Sequence, residues 1–146
     1  MSNNSFSRTR RQRDFVSLQL CLYLYPLCNG RQFEYMEPSD FVSFLNLRRG
    51  ADGVVRDREK LRVIYLIHEV ADNLSEPWRA EEWKGEMLSA CGIDMAYYNS
   101  HYLDVKHSEV KANKKFANEL KEAISRVHPT NRVILSLCKL KSLNLK

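Results

Sequence analysis

The chain has 146 residues, 44% hydrophobic and 28% charged, which suits a soluble protein with one sizeable core. Five glycines and four prolines exclude collagen-like and low-complexity chains. They also argue against a large all-β fold, whose many short strands need many special turns. The net charge of +5 is uneven: residues 1–13 carry +4, residues 14–108 carry −5 and residues 109–146 carry +6. Two basic ends around an acidic centre suit a polyanionic partner met through the termini, although solvated tails give the same pattern.

Residues 1–13, with Arg8, Arg10, Arg11 and Arg13, are polar and aperiodic and read as a disordered basic tail. Over residues 14–25, Phe15, Leu18, Leu22 and Tyr25 fit a helix, while Leu18, Leu20, Leu22 and Leu24 fit a strand. Leucine content favours the helix, ended by Pro26 and Asn29-Gly30. Glu37-Pro38-Ser39-Asp40 opens a short helix to about Arg48, with Ser39 or Asp40 as its cap. Gly50-Ala51-Asp52-Gly53 is a loop. Residues 57–74 carry the strongest helical stripe, through Leu61, Ile64, Tyr65, Ile67, His68, Ala71 and Leu74.

Ser75 caps the next helix, which turns Trp78, Trp83, Met87 and Leu88 inward and breaks at Gly92. Asp94 caps another helix to about Lys106. Ser108 or Glu109 starts a last long helix through Phe116, Leu120, Ala123, Ile124 and Val127, stopped by Pro129. Residues 133–146 alternate leucine with lysine or serine and fit a helix, a strand or a frayed tail. The expected fold is all-α, with five to six helices that include a helix-turn-helix or winged-helix-like part. Residues 14–146 form a single helical domain on this reading, its DNA-binding-like part spanning about 57–128.

Cys21, Cys28, Cys91 and Cys138 show neither a C-x-x-C pair nor zinc-ribbon spacing, so reduced, buried thiols are expected. A basic stretch before the apolar run 15–27 imitates a signal peptide. The run is too short for a bilayer, is interrupted by Ser17, Gln19 and Pro26, and is followed by no A-x-A site. It reads as the first structural element of a cytoplasmic protein, with no membrane partner.

Residues 83–106, WKGEMLSACGIDMAYYNSHYLDVK, meet the demands of a helix-turn-helix. Met87 and Leu88 close one helix, Gly92 makes the turn, Ile93 plugs the core and Asp94 caps the second helix. Any αα-hairpin with a glycine turn shares much of this pattern. Between Asp94 and Val105 there is no Lys or Arg, so the commonest base-reading side chain is missing. Tyr97, Asn99, Ser100 and His101 remain as candidates for base-edge hydrogen bonds. Phosphate contacts fall to Lys106, Lys111, Lys114, Lys115, Lys121 and Arg126, of which Lys111, Lys114 and Lys121 share one helix side. A merely solvated helix face explains the same lysines.

Few residues suggest catalysis. His68 and Asp72 stand four apart beside Glu69, a spacing open to acid–base or metal chemistry, but His68 on the apolar stripe reads rather as a hydrogen-bonded core histidine. His101 and His107 do not share a helical face and with Cys91 make no metal set. No phosphate-binding loop, nucleophile elbow or H-E-x-x-H is present. Tyr97, Tyr98 and Tyr102 could stack on single-stranded bases, yet their spacing fits packing against the Trp78/Trp83 helix. No enzymatic activity, metal, cofactor or small-molecule substrate is expected.

Several blocks resemble the C-terminal region of RteC-family proteins: Ile64-Tyr65-Leu66-Ile67-His68, Ile93-Asp94, Tyr97-Tyr98, Tyr102-Leu103-Asp104-Val105-Lys106 and Lys115-Phe116-Ala117-Asn118-Glu119-Leu120-Lys121-Glu122. The resemblance covers roughly residues 60–126. It implies a helical regulator of conjugative-transposon excision with a winged-helix-like DNA-binding part. Asn99 stands where the family pattern implies an arginine, and Lys106-His107-Ser108 where an Arg-rich stretch would follow.

The sequence thus points to a mobile-element DNA-binding regulator with its helix-turn-helix near 78–105, double-stranded DNA as partner and scope for a homodimer. The alternative is a non-enzymatic protein-interaction module on the same scaffold, exposing an apolar patch from 15–27 or 133–145.

Overall fold

Caps and turns set where each helix starts and stops. The computed structural model describes residues 14–127 and places six helices there: α1 (Leu18–Cys28), α2 (Pro38–Leu45), α3 (Lys60–Asp72), α4 (Pro77–Ala90), α5 (Met95–His101) and α6 (Lys111–Val127). The fold is all-α. Among the described residues there is no strand, only isolated bridges of Phe33 with Asn29 and with Val55. The basic tail 1–13, Pro129, Cys138 and the leucine–lysine stretch 133–146 lie outside the described residues.

Ser17 caps α1, its hydroxyl accepting from the Leu20 amide at 3.1 Å. Pro26 does not end this helix; it lies within it. A proline there costs the bond to the carbonyl four residues back, and that residue, Leu22, is 49% exposed on the solvent side. α2 starts two to three residues earlier than a cap at Ser39 or Asp40 implies. Pro38 takes the first turn after Glu37, because its fixed φ and missing N–H suit that position. α3 starts at Lys60 rather than at 57, because Arg58 holds a φ of 69°, which no right-handed helix accepts.

Two helices end in the same paired motif. After α4, Ile93 N–H donates to Leu88 C=O at 2.8 Å and Gly92 N–H to Ser89 C=O at 3.0 Å, with Gly92 at φ 68°. After α2, Arg48 N–H donates to Ser43 C=O at 2.9 Å and Leu47 N–H to Phe44 C=O at 3.1 Å. There the left-handed position is held by Leu47, at φ 60°.

α1 packs on α2 and α6, while α3 packs on α4, α5 and α6. One cluster of buried side chains runs from Val16 to Ile124, its largest members including Trp83, Phe33, Phe41, Phe44 and Phe116. Buried polar groups tie it together. The Asn46 side chain accepts from the Val16 amide at 2.8 Å and donates to Val42 C=O at 3.1 Å. Trp78 is 65% exposed instead of inward, because α4 buries Ala80, Trp83, Met87 and Leu88 and Trp78 sits roughly 140° around from Trp83. Among the described residues, no helix is long and apolar enough to cross a membrane.

Candidate nucleic-acid interface

The α4–turn–α5 unit follows the sequence expectation at the end of α4 and at its turn. Met87 and Leu88 are buried at the end of α4, and Ile93 follows the glycine turn into the core at 6% exposure. Asp94 occupies the N-cap of α5 with extended backbone, but its carboxylate makes no capping hydrogen bond. α5 ends at His101, and residues 102–107 continue as turns instead of a helix to 106. The described residues that follow are this turn segment and α6, with no β-wing among them.

α5 is anchored by aromatic rings. Tyr98 is buried and stacks on Tyr102 with ring centroids 5.2 Å apart. Tyr97 packs on His101 at 4.7 Å, and the ammonium of Lys60 lies 4.3 Å from the Tyr97 ring centroid. His101 is further held by Asp104, Nδ1 to Oδ2 at 2.7 Å. Two of the four base-edge candidates, Tyr97 and His101, are therefore half-buried and occupied. Asn99 and Ser100 are exposed, Ser100 on the outer side of α5 with Ala96 and Asn99 at the rim of the crease with α3 and α4.

α6 separates its faces cleanly. Phe116, Leu120, Ala123 and Ile124 are buried against α1 and α3. Lys111, Lys114, Lys115 and Lys121 are all exposed on the opposite arc, and Lys106 is exposed in the turn segment before the helix. Lys114 makes a surface ion pair with Glu109 at 3.1 Å, and Arg126 approaches Glu122 at 3.9 Å. Such exposed pairs are weak and break easily. Phosphates are strong competitors for the same cations.

Two basic residues beside the unit escaped the sequence reading. Lys60 reaches α5 from 37 positions upstream, and Lys84 of α4 sits 5.3 Å from the Tyr98 ring while pairing with Glu81 at 3.0 Å. Neither has a local sequence signal, since only the docking of α3 and α4 brings them there. His68 is not a core histidine. It is half-buried in the crease of α3, α4 and α5, 4.8 Å from the Tyr102 ring and 3.9 Å from the Glu69 carboxylate.

Cys21 and Cys28 are buried free thiols and Cys91 is partly buried, each pushed up to about 12 by burial. Such thiols are inert rather than nucleophilic. Among the described residues no group of three or more His, Cys, Asp or Glu could hold a metal ion. No protein-family model, curated protein or solved structure matches the chain.

Proposed function

We propose that this chain is a DNA-binding regulatory protein of mobile-element type. It presents α5 to a groove from the α4–turn–α5 unit and grips phosphates with Lys106, the α6 lysines and the basic termini. The observation that carries the reading is the single exposed lysine face of α6, one short turn segment beyond α5. The glycine turn at Gly92 and the docking of α4 and α5 on the same helix, α3, support it. The mobile-element part rests on the residue blocks that resemble the RteC family. With no Lys or Arg on α5, sequence preference falls to Asn99 and Ser100 and to DNA shape, while lysines supply affinity.

Binding of the purified chain to pooled genomic fragments at about 50 and 200 mM salt tests this, since that interval removes roughly 10³–10⁵ of phosphate-driven affinity. A few fragments retained at the higher salt are expected. Absence of binding at both salts overturns the reading.

One observation favours a second reading, a protein-interaction module or homodimer. Leu18 and Leu22, one turn apart on α1, are 57% and 49% exposed, with Tyr23 at 36% beside them. An apolar stripe of this kind is a common docking surface. A concentration-dependent mass in sedimentation that Leu18→Gln/Leu22→Gln abolishes would establish it, and a strict monomer counts against the homodimer.

A further inference from the structure

We infer that the crease between α3, α4 and α5 binds a small organic cation, an ammonium group carried on a short apolar or aromatic body. The crease is a cavity of about 390 Å³, a size typical of small-ligand sites. Its lining is mixed: Ala71, Leu74, Pro77 and Ala80 give an apolar patch among the polar groups of His68, Asp72, Glu81, Lys84 and Asn99. Its aromatic side is the stacked Tyr98–Tyr102 pair, with His68 4.8 Å from Tyr102.

Lys84 shows how this surface holds a positive charge. Its ammonium stands 5.3 Å from the Tyr98 centroid and 3.0 Å from the Glu81 carboxylate, with the side chain 19% exposed. Ring face and carboxylate stabilise the same cation. Tyr102, His68 and Asp72 line the same crease, Asp72 standing one turn beyond His68 on α3. Among the described residues the Asp72 carboxylate makes no ion pair and no hydrogen bond.

The crease thus holds two carboxylates, Asp72 and Glu81, against one lysine, Lys84, which pairs with Glu81, and it favours a further cation over an anion. Burial, then the nearby Tyr102, Glu81 and Asp72, push the Tyr98 phenol up, so it stays a neutral hydrogen-bonding group. With too few donors gathered for a metal ion, the cation that fits is an organic one whose body covers the apolar patch. Asn99, the proposed base-edge contact, also lines this crease, but the test uses no DNA and so decides the inference separately from the DNA-binding reading.

Tyramine, with uncharged 4-ethylphenol as its control, is titrated into the full chain at about pH 7.5, where the amine is protonated. Calorimetry reads affinity, and amide NMR shifts at Ala71, Asp72, Tyr98 and Tyr102 read location. Saturable one-to-one binding of tyramine, none of 4-ethylphenol, and about fivefold weakening in Asp72→Asn are expected. Asp72 is exposed, so this variant keeps the fold, which its melting curve checks. No saturable tyramine binding up to about 10 mM, equal binding of 4-ethylphenol, or an Asp72→Asn chain that binds like the unaltered one overturns the assignment.

Discussion

The indole of Trp83 donates a 2.7 Å hydrogen bond to the carbonyl of Leu45, 38 residues earlier, inside the core. Leu45 is the last residue of α2, whose final carbonyls have no partner within their own helix. A side chain from α4 therefore completes α2 and joins the two ends of the helical assembly. Trp83→Phe removes that donor and leaves a smaller ring in a fully buried site. A loss of about 2–4 kcal/mol in unfolding free energy is expected, read from urea midpoints.

Two glycines respond to alanine for different reasons. At Gly92 a Cβ would meet nothing within 4 Å, so only the φ of 68° opposes it, and Gly92→Ala costs about 1–2 kcal/mol. At Gly53 the added carbon would stand 2.6 Å from the Phe44 ring, which is 1% exposed and packed edge-on against Phe33. Gly53→Ala must displace that ring and costs about 2–3 kcal/mol. Thermal melts of both variants check the order, and a larger loss at Gly92 would contradict it.

The buried thiols predict alkaline sensitivity. Burial, with Asp14 adding to it at Cys21, raises Cys21 and Cys28 from 9.0 to about 12. Each thus keeps its proton in the folded chain where the unfolded chain has lost it. Their contribution is intact below pH 9 and falls as pH rises from 9 toward 12, by about 1.4 kcal/mol per pH unit per thiol. Urea midpoints measured across this window should drop steeply, and a flat profile would refute the assignment.

The lysine face predicts a sequence-independent effect. Lys114→Ala/Lys115→Ala should weaken DNA binding alike for all fragments and reduce the slope of log affinity against log salt by roughly 0.9 for each lost phosphate contact. Asn99→Ala should instead change the preference among fragments at a constant slope. Unchanged affinity and slope in the lysine variant would remove α6 from the interface.

How much could be read locally follows from where the determining interactions lie. The α4 end, the Gly92 turn, Ile93 and the two faces of α6 were legible because each depends on residues within a turn or two. The motif ending α2 was not, because Leu47 holds a left-handed position that sequence patterns assign to glycine. Arg58 does the same before α3. Of the candidate site, the exposed lysines and Asn99–Ser100 were readable, but the engagement of Tyr97 by Lys60 and of His101 by Asp104 was not.

The sequence by itself determined the helical class, the order of the elements and the polar arc of α6, since periodicity and caps act over a few residues. Tertiary structure alone decided that Trp78 faces solvent while Trp83 is sealed, that Pro26 stays within α1, and that His68 lines a crease. Those outcomes depend on which side of each helix meets a neighbour. Contacts between residues tens of positions apart set that choice, and no local pattern encodes them.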